Sequence, residues 1–231
     1  MGNSLEGECY VGKTTTAETM KRLEILRDKG IIIVPEYSVI GPLPAFPREN
    51  TDSLKKSIQQ MIDLEKRRTD RLATELSCQP EAMVIFDRGP ISCIAFEHAA
   101  EQSGYQGAAL WIAEAFQKEV ETKNIIIPQG MIHLTADRGF IREREAADLA
   151  AGRGRIMDFL KNEDVIRILN ESFTAFGEFL PPQLFLTLDT GNKNPQEIGA
   201  EVLQFIKGQP IDVLQHQPDF MKYARSLTLI K

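Results

Sequence analysis

A chain of 231 residues is long enough to bury a sizeable core as one α/β domain or two small ones, and 42% hydrophobic with 26% charged residues is the balance of a soluble globular protein. A formal net charge of −6 excludes a general nucleic-acid surface and leaves room only for a local basic cluster. No apolar run is long enough to span a membrane, the opening residues lack the apolar core of a secretory signal, and Cys9, Cys78 and Cys93 show no metal-site spacing, so a reduced, cytoplasmic protein is expected.

The first informative stretch is GECYVGKTT, residues 7–15, which fits the pattern Gly, four residues, Gly-Lys-Thr. Gly7 and Gly12 allow positive φ and close approach of the backbone to a phosphate. The N–H groups of Glu8, Cys9, Tyr10 and Val11 between them would form an anion nest. Lys13 would reach the β- and γ-phosphates, Thr14 would place a hydroxyl on Mg²⁺, and Thr15 continues the first helical turn. Cys9 is read as a tolerated residue whose side chain points away. A helix over 13–29, with Met20, Leu23 and Leu26 on its buried face and Gly30 as its stop, adds a positive N-terminal end. The strand that should enter the loop, GNSLE, is short, and only Leu5 in it is strongly apolar.

The rest alternates strand and helix. GIIIVPEYS (30–38) is a β-branched buried strand ended by Pro35, followed by the rigid, proline-rich connection GPLPAFPREN. Residues 52–77 read as one long helix, 83–86 as a second strand ending in Asp87-Arg88, and 91–102 and 106–122 as helices. A third strand covers 131–136, a charged helix 138–149 and a flexible tip 151–155. A helix over 164–179, a last strand over 184–190 and a helix over 195–206 complete the pattern. The tail after Gln209 carries no motif and is expected to cover the sheet edge or contact another subunit. His98 and His133 are isolated and read as core or surface residues, and Trp111 and Phe116 are expected to pack between helices.

Strands alternating with helices imply a parallel sheet covered on both faces, with ligands at the carboxyl ends of its strands. The loop 7–15, Glu36, Asp87-Arg88 and residues 136–138 all fall at that edge.

On these residues the chain resembles the P-loop kinases of nucleosides and nucleotides, above all the deoxynucleoside and thymidylate kinases, over about residues 5–206. LEGECYVGKTT looks like their opening strand and loop, VPEYS like the second strand with its glutamate, and FDRGPISCIAF like their Asp/Glu-Arg motif. REREAADLAAGRGR resembles their arginine-bearing lid (about 138–157), and LDTGNKNPQEI the last strand and the loop that touches adenine, ahead of a C-terminal extension at about 208–231. Gly89 stands where those kinases carry Ser or an aromatic residue, and no clean aromatic and glutamine pair marks a base pocket. The same VPE and FDRG arrangement also resembles a broader set of P-loop ATPases and small-molecule kinases.

The resemblance implies an ATP- and Mg²⁺-dependent phosphotransferase of one domain with a small helical lid. Lys13, Glu36 and Arg88 would be catalytic. Glu36 would orient the attacking hydroxyl or take its proton, Asp87 would hold Mg²⁺ with Thr14, and Arg88 would bridge acceptor and transferring phosphate. Of the lid arginines, Arg138 and Arg142 share one helical face, and Arg142, Arg153 and Arg155 are the candidates to close on the nucleotide. On the long helix, Gln60, Asp63 and Arg67 share a face, with Arg71 four residues on. Gln60 or Gln59 could read a base edge and Arg67 or Arg71 an anionic acceptor. The leading acceptor is a nucleoside or nucleoside monophosphate. Two alternatives stay open: a kinase of a non-nucleotide small molecule such as an antibiotic or metabolite, and an NTP-binding switch that acts through a protein partner. A homodimer also stays open.

Overall fold

Five parallel strands form one sheet: β1 (Gly2–Glu6), β2 (Ile31–Val34), β3 (Met83–Asp87), β4 (Gly130–Thr135) and β5 (Phe185–Asp189), in the order β2-β3-β1-β4-β5. The computed structural model in which they are seen describes residues 2–25, 30–45, 50–152, 158–210 and 218–227. The helices are α1 (Lys13–Ile25), α2 (Tyr37–Ile40), α3 (Thr51–Cys78), α4 (Pro90–Gln102), α5 (Ala109–Glu121), α6 (Arg138–Ala150), α7 (Glu163–Phe179), α8 (Pro195–Lys207) and α9 (Phe220–Leu227). No helix among the described residues is long and apolar enough to cross a membrane.

Side chains alternate between the two faces of the sheet, as the strand period requires. Ile31, Ile85, Ile132 and Leu5 join Met20 of α1 and Ile198 and Val202 of α8 in one apolar cluster. Ile32, Val34, Val84 and Phe86 pack instead against Leu72 of α3, and Met131 against the helices α4, α5, α7 and α9. Both faces are thus covered, which is why β2, β3 and β4 read as near-continuous apolar runs.

β1 departs from that rule. It is the central strand, paired to β3 and β4, yet Leu5 is its one large apolar residue. Its polar side chains are buried and matched individually. Asn3 and Gln209 exchange two amide hydrogen bonds of 3.1 and 2.9 Å. The Glu6 carboxylate accepts from the Gly89 N–H at 2.8 Å and from the Ser92 hydroxyl. A buried polar group is tolerated when it is hydrogen-bonded, so a strand of weak apolar character holds the middle of the sheet.

β2 stops at Val34, just before Pro35, which cannot donate to the ladder, and Tyr37–Ile40 forms a single helical turn. Two readings of the sequence are corrected. Trp111 does not pack between helices. It is 39% exposed, with the Lys55 ammonium 4.6 Å from its ring centroid, whereas Phe116 is fully buried as expected. The tail holds a helix, α9, which covers α5 and α7 rather than the sheet edge. His98 and His133 are both core residues. Leu26, and the expected end of the first helix, lie outside the described residues.

Tyr223 is the anchor of α9. It is fully buried, its hydroxyl donates to the Ser172 carbonyl at 2.9 Å, and its ring meets Phe176 edge-on at 4.9 Å. Removing such a buried aromatic side chain costs about 3–5 kcal/mol. Tyr223→Ala should therefore lower the urea midpoint by that equivalent; an unchanged midpoint would mean that α9 does not dock.

Candidate functional site

β1 leads directly into the 7–15 loop, and the loop leads into α1 at Lys13. Gly7 has φ 134°, and a Cβ there would meet the Leu134 carbonyl oxygen at 2.3 Å, so both conformation and space demand glycine. Gly12 has φ 94° with open space around it, so conformation alone selects glycine there. Tyr10 also adopts a left-handed conformation, at φ 65°. Lys13 is buried and folds back over the loop, donating to the carbonyls of Glu8 at 2.6 Å and Gly7 at 3.2 Å. Burial, and then the Arg88 guanidinium, lower its ammonium to about 8.

At the end of β3, Asp87 accepts from the Thr14 hydroxyl at 2.5 Å, while its Oδ1 is buried without a partner. Arg88 follows in a left-handed conformation, φ 65°. Its guanidinium donates to Glu36 at 3.2 Å, to the Gly7 carbonyl at 3.1 Å and to Ser92 Oγ at 3.4 Å, and lies 3.9 Å from Cys9 Sγ. Cys9 therefore faces Arg88 instead of pointing away. Glu36 is the exposed partner, with 40% of its side chain accessible against 7% for Arg88.

Lys13, Thr14, Glu36 and Arg88 share one cleft of about 690 Å³, lined by residues 9–16 with Ser38, Arg144, Asp148 and Lys193; Asp87 lies behind Thr14 and does not line it. The 7–15 loop, Glu36 and Arg88 are thus brought together as their strand-end positions imply. No protein-family model matches this chain, and no curated protein matches it. The reading of the site rests on its geometry.

The α6 arginines divide by helical face. Arg138 donates to Glu8 at 2.6 Å and Arg142 to Glu163 at 2.5 Å, and both line a separate pocket of about 220 Å³ with Phe96 and Leu169. Arg142 does not line the cleft; Arg144 does, because two residues along a helix rotate a side chain by about 200°. Arg144 donates to the Tyr10 carbonyl at 3.2 Å and to Thr190 O at 2.9 Å, stitching the loop to the end of β5. The run REREAAD signals arginines but not which one faces the loop. Arg153 and Arg155 lie outside the described residues.

Glu8, named for its loop N–H, has a side-chain role as well. It is buried between Arg138 and Asn170, and burial raises its carboxyl above the ordinary range. Gln60, Asp63 and Arg67 line a third hollow, of about 390 Å³, with Pro42–Ala45; Leu43 belongs to both this hollow and the cleft. Gln59 and Arg71 do not line that hollow; on the exposed helix surface Gln59 bonds Asp63, at its rim, and Arg71 bonds Glu75.

The residues that sequence reasoning missed are Arg144, which lines the cleft, and Glu6, Ser92 and Arg68, which are buried behind it. Glu6 is the most constrained. Burial pushes its carboxyl up to about 7 from 4.5, against the lowering effects of Ser92, Arg88 and the Gly89 N–H. A carboxyl that holds its proton more tightly folded than unfolded contributes stability that is complete below about pH 4.5 and is lost as the pH rises through about 7. Glu6→Gln keeps an acceptor for Gly89 and a donor for Ser92 without the charge. Its unfolding free energy should vary less than the wild type's between pH 5 and 8, by up to on the order of 3 kcal/mol. Parallel pH profiles for the two proteins in urea titrations would refute this assignment.

Proposed function

We propose that this chain is a P-loop kinase that transfers the γ-phosphoryl group of ATP to a small-molecule acceptor, with the hydroxyl of a nucleoside favoured and a nucleoside monophosphate next. The observation that carries the proposal is the single cleft at the carboxyl edge of the sheet that holds the Gly-x₄-Gly-Lys-Thr loop, Glu36, Arg88 and Arg144 together. A parallel sheet in the order β2-β3-β1-β4-β5, with the loop after its central strand, supports it.

Phosphoryl transfer asks for positioning and charge neutralisation more than covalent chemistry. The loop N–H groups and the N-terminal end of α1 would hold the β- and γ-phosphates, and Lys13 would turn from the Gly7 and Glu8 carbonyls to them. Arg88, a planar fork already fixed by Gly7 and Ser92, would lie between acceptor and γ-phosphate. Arg144 would face the phosphates from α6. The acceptor would enter on the Glu36 side, where the cleft meets the Gln60–Arg67 hollow at Leu43. Glu36 would take the hydroxyl proton as the acceptor oxygen bonds to phosphorus, the bond from phosphorus to the β-γ bridging oxygen breaks, and ADP leaves.

The residues fit Mg²⁺. Thr14 and Asp87 offer a hydroxyl and a carboxylate in contact, and Asp87 Oδ1 is buried and unpartnered. No group of three or more His, Cys, Asp or Glu able to hold a metal occurs among the described residues, which suits an ion held through one carboxylate, phosphates and water. Bound there, Mg²⁺ would neutralise charge on the β- and γ-phosphate oxygens.

The test is ATP consumption screened over nucleosides, nucleoside monophosphates and small hydroxylated metabolites. Turnover should require an acceptor and vanish in Lys13→Ala. Slow hydrolysis indifferent to every acceptor would favour a nucleotide switch instead. With a hydroxyl acceptor, Glu36→Gln should lower kcat at least ~10²-fold at similar KM, because it removes the base and keeps the shape. A near-normal kcat would remove Glu36 as base and point to an acceptor that is already anionic.

A further inference from the structure

Behind Arg88, on the side away from the cleft, a second guanidinium is buried. Arg68 of α3 is 1% exposed. Its Nη1 pairs with Glu65 at 2.6 Å, and neither side chain of the pair is accessible to solvent. Its Nη2 donates to the backbone carbonyl of Arg88 at 2.7 Å and approaches that of Asp87 at 3.4 Å. Its face lies 4.2 Å from the Tyr37 ring, one residue after Glu36, and 5.8 Å from that of Phe86. One side chain therefore touches the backbone of both Asp87 and Arg88 and the segment that carries Glu36.

We propose that Arg68 is a positioning residue: it holds the Asp87-Arg88 corner in the conformation that points Arg88 into the cleft, and so sets the geometry of transfer. This rests on the kinase reading for its catalytic consequence, though not for its geometric one.

Arg88 has φ 65°, a conformation that bulky L-residues rarely adopt and that persists only where surrounding contacts over-determine it. The Arg88 N–H donates to the Leu5 carbonyl at 3.2 Å, Glu6 takes the next N–H, that of Gly89, at 2.8 Å, and Arg68 takes the carbonyl between them. The peptide before Arg88 is thus gripped by β1, and the peptide after it at both ends, by Glu6 of β1 at its N–H and by Arg68 of α3 at its carbonyl. Without the grip on the carbonyl, the peptide joining Arg88 to Gly89 would be held at its N–H alone and could pivot about that bond towards an ordinary conformation, swinging the guanidinium off Glu36 and Gly7.

A purely structural role explains the pair poorly. A wholly buried ion pair is weak evidence for stability, because desolvation offsets its attraction, and apolar replacement of both partners is often neutral or stabilising. Arg68 Nε is also left without a hydrogen-bond partner, so the site is not optimised for the ion pair itself. What no apolar side chain could supply is the donor to the Arg88 carbonyl.

The test uses Arg68→Met combined with Glu65→Leu, which removes both charges together, and Arg68→Lys, which keeps the charge beside Glu65 but offers no planar fork. Two readings are taken on each: kcat and KM on the best acceptor, and the solvent-exchange rate of the Arg88 Nε–H by NMR, assigned through its loss in Arg88→Lys. In the wild type this N–H is protected by its bond to Glu36 and by burial. The double variant should melt at or above the wild-type temperature, exchange the Arg88 Nε–H at least ~10-fold faster and lose at least ~10-fold in kcat with ATP affinity within about threefold. Arg68→Lys should fall between it and the wild type in both readings. A structural role alone would move melting temperature and activity together. A folded double variant that keeps Arg88 protection overturns the proposal. If the double variant fails to fold, Arg68→Lys decides, and wild-type exchange in it overturns the proposal equally. If no acceptor supports transfer by the wild type, the kinase reading has failed, and the exchange rate still decides the role of Arg68.

Discussion

The Glu6 carboxylate is the interaction on which the site depends. It sits at the end of the central strand, immediately before the 7–15 loop, and reaches across to the N–H of Gly89 and the hydroxyl of Ser92. Two chain segments separated by more than 80 residues are thereby locked at one point. Lys13 and Arg88 can share a cleft only if β1 and β3 end in register, and Leu5 is paired with Asp87 in that ladder. The polar makeup of β1 follows from this duty. A strand of ordinary apolar residues would bury more surface, but it would have no group to receive the Gly89 amide.

Around that lock the structure repeats one device. Arg88 and the loop are each held by hydrogen bonds from several separate elements. Arg88 is held by Gly7, Ser92 and, through its backbone, Arg68. The loop itself is held on one flank by Arg138 on Glu8 and on the other by Arg144 on the Tyr10 carbonyl. Charge-assisted bonds of this kind are stronger than neutral ones and strengthen further out of water. The loop is consequently fixed between α6 and the sheet.

Such a site stores cost. Tyr10 and Arg88 are non-glycine residues at positive φ, Lys13 is buried, and Glu6 is a carboxyl in the core. Each would be relieved by a different residue in a protein selected for stability alone. Their concentration at one edge of one sheet is what distinguishes that edge from the opposite one, where Asn3 and Gln209 simply satisfy each other.

The local pattern determined a good deal. Gly7, Gly12, Lys13 and Thr14 declare their loop because only that spacing combines positive φ, a cation and a hydroxyl. Continuous apolar runs declared β2, β3 and β4, since strands buried on both faces cannot alternate, and the order of strands and helices fixed the edge where Glu36 and Arg88 would stand. Other features could be decided only by tertiary structure. GNSLE reads as a poor strand because its burial is bought with hydrogen bonds to Gln209, Gly89 and Ser92, which lie far off in sequence. Arg142 and Arg144 are equivalent in a charged run until α6 is oriented against the loop. Arg67 and Arg68 are adjacent on α3, and a rotation of about 100° places one on a surface hollow and the other beneath the Asp87-Arg88 corner. Composition and spacing report what a residue can do; the packing of distant elements decides which residue is in position to do it.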